Sequence, residues 1–138
     1  MSDVLSLFEM PPEIPGAAEL AAHYGTTRHT FHDGEIQSIS LNAKGASELR
    51  ILTWEMTREV DSQGYGVLAN KAIVTFEMTG VSDCELNGFM DGQNVVGSLR
   101  IERVDTGYRL IFESTVGVGG YIEFANAKIA VEPIDSDS

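Results

Sequence analysis

The run Leu68–Met78 limits this chain more than any other stretch. Ala72, Val74, Phe76 and Met78 alternate with Lys71, Ile73, Thr75 and Glu77. A repeat of two places the first set on one face of a β-strand, whereas a helix would scatter it around the axis. A strand with one apolar face needs neighbours, and the chain supplies them. Ile39 and Leu41 alternate with Ser38 and Ser40, while Ile36 is out of phase with both, which predicts a bulge or strand start near Gln37. Leu49, Ile51 and Thr53 alternate with Arg50, Leu52 and Trp54, apolar on both sides, as in a central strand. The turn material Asn42–Ser47 between these two runs predicts a hairpin.

Further along, Val95–Val104 reads as a strand with Leu99 and Ile101 inward, and Tyr108, Leu110 and Phe112 follow after the turn Asp105-Thr106-Gly107. Gly117-Val118-Gly119-Gly120 is expected to open a last hairpin, in which Tyr121–Phe124 and Lys128–Val131 close the sheet. Cys84–Asn94 reads as irregular, with a short helix around Asn87–Asp91. Ahead of all strands, Gly16–Tyr24 holds strong helix formers, a Leu20/Tyr24 pair at i,i+4 for the core face, and Gly25 as C-cap. The expected fold is mainly β: an antiparallel meander or sandwich-like sheet of six or seven strands with one short N-terminal helix.

With 138 residues the chain fits one domain, 1–138, with an N-terminal arm at 1–15 and a loose acidic tail at 132–138. Its formal charge of −12 opposes binding to nucleic acid or to anionic membranes and favours basic partners. Cys84 is the single cysteine, so no intramolecular disulfide can form. The start Met1-Ser2-Asp3-Val4-Leu5 lacks a basic leader, and no apolar run is long enough to span a bilayer. These features predict a cytoplasmic protein. Leu5, Leu7, Phe8 and Met10, followed by Pro11-Pro12 and Pro15, form an apolar extended arm that could alternatively pair two copies as a homodimer.

The densest group of chemically capable side chains is Thr30-Phe31-His32-Asp33-Gly34-Glu35-Ile36. His29, His32, Asp33 and Glu35 are the residue types that hold a first-row metal, though their spacing matches no strong metal motif. Asp33 and Glu35, two apart, would share a face in a regular strand and serve acid–base chemistry. The simpler reading is structural: Asp33 accepts backbone hydrogen bonds at the strand start and His32 fills a polar notch. No Gly-x-Ser-x-Gly occurs, and Gly117–Gly120 lacks the lysine of a phosphate loop. Trp54, Tyr65, Tyr108 and Tyr121 read as core or cross-strand packing rather than a ligand cleft. A second patch, Leu86–Asn94, concentrates amides and glycines around Phe89 and Met90, so Asn87, Phe89, Met90, Asp91, Gln93 and Asn94 are candidate partner-binding residues.

The order of three motifs resembles the Imm50-type immunity proteins of bacterial polymorphic-toxin systems. Phe31-His32-Asp33-Gly34-Glu35-Ile36 followed by Ile39 and Leu41 is similar to that family's opening, with Gly34 where Ala is expected. Leu86-Asn87-Gly88-Phe89 with Gln93-Asn94-Val95 is similar to its second patch, and Gly120-Tyr121-Ile122-Glu123-Phe124 to its closing strand. The resemblance implies a β-rich fold and a non-enzymatic protein, without cofactor, that binds a cognate toxin. Phe31, His32, Asp33, Glu35 and Ile36 would then be the motif that shapes the scaffold. Two alternatives stand beside it: a small metal-dependent or acid–base hydrolase using His29, His32, Asp33 and Glu35, and a structural homo-oligomer.

Overall fold

A computed structural model describes residues 10–26, 29, 31–32, 34–42, 44–60, 66–88, 94–105, 107–113 and 118–134, with backbone only at 56–60 and 66–69. Among the described residues one helix, α1 (Ala17–Tyr24), precedes eight strands: β1 (Glu35–Ser40), β2 (Ser47–Val60), β3 (Gly66–Thr79), β4 (Asp83–Asn87), β5 (Ser98–Val104), β6 (Gly107–Glu113), β7 (Gly119–Phe124) and β8 (Asn126–Pro133). They form two four-stranded sheets, β1-β2-β3-β8 and β4-β7-β6-β5, in which every strand pairing is antiparallel. The mainly β expectation holds. The proline-rich opening falls partly at 1–9, outside the described residues, as do the acidic tail at 135–138 and Tyr65.

The alternation in β3 does what its period dictates. Ala72, Val74, Phe76 and Met78 are fully buried, while Lys71, Ile73, Thr75 and Glu77 are half-buried on the other face. From the second sheet come Leu99, Ile101, Leu110, Phe112, Ile122 and Phe124, which share one apolar core with Val74, Phe76 and Met78. Burying a side chain of this kind contributes roughly 1.5–3 kcal/mol, so the inner faces hold the two layers together. β2 lies between β1 and β3, as its two apolar faces require. The register of β1 against β2 slips between Ile36 and Ser38, the bulge announced by the phase of Ile36. Leu41 departs from the expected alternation: it lies beyond the end of β1 and is 45% exposed.

Three expectations are corrected. Cys84–Asn94 does not begin irregularly, because Asp83–Asn87 is strand β4, paired with β7. The strands among the described residues number eight rather than six or seven. Nor do β7 and β8 close one sheet as a hairpin. A single residue, Ala125, separates them, and they enter different sheets, because Ala125 donates to Thr79 O (3.0 Å) and Gly80 O (3.2 Å) at a corner. Opposite, β3 turns into β4 at Gly80, whose φ of 69° suits glycine. Both halves of one antiparallel ribbon, β3–β4 against β7–β8, therefore change sheet at the same place, where Thr79 faces Asn126 and Asp83 faces Glu123.

The helix is fastened at the side. Leu20 and Tyr24 are buried as expected, and Gly25 ends α1 in the left-handed conformation, its N–H on Ala21 O. Ile129 on the edge strand β8 donates to Pro15 O at 2.7 Å. A Cβ at Gly16 would sit 1.8 Å from Ile129 O, so only glycine permits this approach. The contact also occupies an edge amide that would otherwise invite a foreign strand.

Candidate functional site

The motif Phe31–Ile36 forms a tight turn leading into β1. Gly34 N donates to Phe31 O at 2.8 Å, and Phe31 has φ 60°, a conformation bulky residues rarely adopt. Complete burial holds it there: the Phe31 ring lies 5.7 Å from that of Phe76 and 4.6 Å from that of His29. Gly34 is buried against Ile51, and a Cβ there would lie 2.8 Å from Ile51 Cδ1 and 3.0 Å from Phe31 O. That crowding explains glycine where alanine was expected.

His29 and His32 are committed to different parts of the fold. His29 Nε2 shares a 2.7 Å hydrogen bond with the Thr53 hydroxyl, and its ring stacks on Tyr24 with centroids 3.8 Å apart and planes 1° from parallel. Burial, with a smaller push from His23, lowers the His29 pKa from 6.5 to about 4, so it is neutral at physiological pH. The Tyr24 hydroxyl is buried, and among the described residues none stands in good hydrogen-bonding geometry to it. Burial raises its pKa to about 12, with the nearby Thr53 hydroxyl opposing and Glu55 adding to the rise. His32, by contrast, is exposed, and its Nδ1 donates to Gly97 O at 3.1 Å. Glu35 is exposed too and accepts a 2.9 Å hydrogen bond from the Gln37 amide. Asp33 lies outside the described residues. Among the described residues no three His, Cys, Asp or Glu side chains gather where they could hold a metal ion.

What the sequence kept far apart, the fold joins. Ile36 N donates to Asn94 O (2.7 Å), Val96 N donates to Gly34 O (3.0 Å), and Glu35 bridges to Val95. On its other side this strip meets the second sheet, with Val118 N on Val95 O (2.9 Å) and Gly97 N on Glu113 O (2.8 Å). Asn87, at the end of β4, pairs with Gly119 at the start of β7. The opening motif, both ends of the amide-rich patch and the start of the closing strand thus share one end of the sandwich. Phe89, Met90, Asp91 and Gln93 lie outside the described residues, between Asn87 and Asn94. Of these two ends, Asn87 is exposed and Asn94 half-buried.

The aromatic candidates divide. Tyr108 OH donates to Glu13 Oε2 (2.8 Å), and Tyr121 OH donates to Asp83 Oδ2 (2.9 Å). Both tie surface carboxylates rather than line a cleft. Unread in the sequence was Glu13, which takes two hydrogen bonds from Arg103 at 2.8 and 2.6 Å. Arg103 is foremost in holding the Glu13 pKa at about 2, down from 4.5. Its signal is a pairing across the whole chain, which no local pattern carries. Compared with family models, curated proteins and solved structures, the chain finds no match.

Proposed function

We propose that this chain is a non-enzymatic binding protein of the immunity type, which neutralises a basic toxin by covering the toxin's active surface. One observation carries the reading: the segments quoted for the resemblance meet at one end of the sandwich, stitched by Ile36–Asn94, Gly34–Val96 and Val95–Val118 hydrogen bonds. The ionisable groups of the opening motif support a scaffold role. His32 latches the turn to Gly97, while the neighbouring His29 is neutral and wedged between rings. Glu35, Gln37 and Asn87 are exposed, and in this reading they would contribute polar contacts while Phe89 and Met90 would serve as apolar anchors. The charge of −12 would steer a basic partner toward it.

Co-expression with each candidate toxin encoded near its gene tests this. Protection is expected, together with an association rate that falls as salt is added. Failure to protect against any neighbouring toxin, or binding indifferent to salt, would count against the reading and its steering component respectively.

A further inference from the structure

The two sheets end in the edge strands β1 and β8, and β4 and β5. An edge strand turns backbone N–H and C=O groups away from its sheet, where another chain can pair with them. The edge of β1 is taken by Asn94–Val96, and that of β8 is met by Pro15 at Ile129. β5 carries two arginines, Arg100 tied to Glu113 and Arg103 tied to Glu13. β4 differs from all three.

On one side β4 pairs with β7, in the register Cys84 to Ile122, Glu85 to Tyr121 and Leu86 to Gly120. Alternate residues of an antiparallel strand turn their backbone groups to the partner, and the residues between turn theirs away. Glu85 is of the first kind, since a Cβ on Gly120 of β7 would lie 1.8 Å from its carbonyl oxygen. Cys84 and Leu86 are therefore of the second kind. The Cys84 N–H agrees, for it donates to the neighbouring carboxylate, Asp83 Oδ1, at 2.8 Å. The Cys84 carbonyl and both backbone groups of Leu86 face outward, and among the described residues no strand pairs with them.

The side chains decide what kind of strand fits. Asp83 and Glu85 are exposed on the outer face. Asp83 accepts from Tyr121 OH, and among the described residues Glu85 has no ion-pair partner. Arg109, two strands away on β6, is already paired with Glu123 and Glu102. On the inner face Cys84 and Leu86 are half-buried and packed against the core. A strand with Lys or Arg outward and apolar residues inward would bond the backbone, neutralise the carboxylates and extend the apolar cover together. A second copy is disfavoured, because β4 set against β4 brings Asp83 and Glu85 toward like charges.

We propose that the outer edge of β4 is a docking site for an extended basic segment of another protein. The segment alternates Lys or Arg with apolar residues and joins the second sheet as a further strand. Any protein that carries such a strand would serve, so the site stands or falls apart from the immunity reading.

The probe is a capped, dye-labelled peptide, Thr-Lys-Val-Lys-Val-Lys-Thr, titrated with the full chain and followed by anisotropy. Binding is expected, with slower hydrogen exchange of the Leu86 amide in the bound state. Methylating the backbone nitrogens of the valines removes the donors for the Cys84 and Leu86 carbonyls and should weaken binding at least about tenfold. Glu85→Lys should weaken it by a factor of about ten or more, and Glu85→Gln by less. Both substitutions fall on an exposed side chain, so the fold is expected to persist. Binding that ignores valine methylation or Glu85→Lys, or that leaves Leu86 exchange unchanged, would be loose attraction to the overall charge and overturns the proposal. So does an absence of binding at millimolar peptide. A chain that sediments as a dimer and becomes a monomer on Leu86→Pro also overturns it, by making a second copy the occupant.

Discussion

The rings of Tyr24 and His29 lie face to face, 3.8 Å between centroids, with the His29 Nε2 turned to Thr53. This contact joins the end of α1 to β2, and burial there favours the neutral imidazole. The His29 pKa is about 4 in the fold and near 6.5 when unfolded, so the unfolded chain binds the proton first. Stability from this group is whole above pH 6.5 and is lost as pH falls toward 4. The expected loss is on the order of 2 kcal/mol, and His29→Gln should flatten that part of the curve. Denaturant melts at half-unit pH intervals measure it.

A second, more acidic window belongs to Glu13. Its pKa is held near 2, mainly by Arg103, so its contribution is present above 4.5 and fades as pH falls toward 2. The pair is solvent-exposed, so Arg103→Ala should change stability by less than about 1 kcal/mol. The same variant should nonetheless return the Glu13 carboxyl toward 4.5 in a carbon-detected NMR titration. An unmoved titration would show that the clamp is not closed in solution.

Two left-handed or near-left-handed glycines should answer alanine very differently. A Cβ at Gly120 would lie 1.8 Å from Glu85 O, backbone that cannot yield without separating β7 from β4. Gly25, with φ 68°, has open space around it. Gly120→Ala is expected to cost more than about 3 kcal/mol, and Gly25→Ala about 1 kcal/mol, the ordinary penalty of that conformation. Urea denaturation of both variants gives the comparison.

The opening motif offers a graded series. Phe31→Ala empties a fully buried site and should cost about 3–5 kcal/mol. Gly34→Ala presses on Ile51 and should cost about 1–2 kcal/mol, with an Ile51→Val background relieving part of it. A neutral Gly34→Ala would remove the steric account of why glycine stands there. The coupling is read from the double-mutant cycle.

Much of this architecture was legible because it is local. The alternation of β3, the helix with its Gly25 stop and the bulge at Gln37 each follow from residues a few positions apart. The sheet-switching corner was not legible, since it depends on Ala125 meeting Thr79 and Gly80 across the chain. Leu41 misled because alternation continues in sequence after the strand has ended. The cluster His29, His32, Asp33 and Glu35 was grouped by proximity along the chain. The fold gives His29 to Thr53 and His32 to Gly97, a division that short spacing cannot announce. The closeness of Ile36 to Asn94 was likewise invisible, although both segments had been singled out.

The shared bend at Gly80 and Ala125 has a kinetic corollary. Each layer contains strands whose continuation lies in the other, so neither can mature while its counterpart is still a coil. Refolding should therefore proceed in one concerted phase, at the unhurried pace of folds dominated by distant pairings. Severing the chain at the corner would yield two fragments that assemble only together.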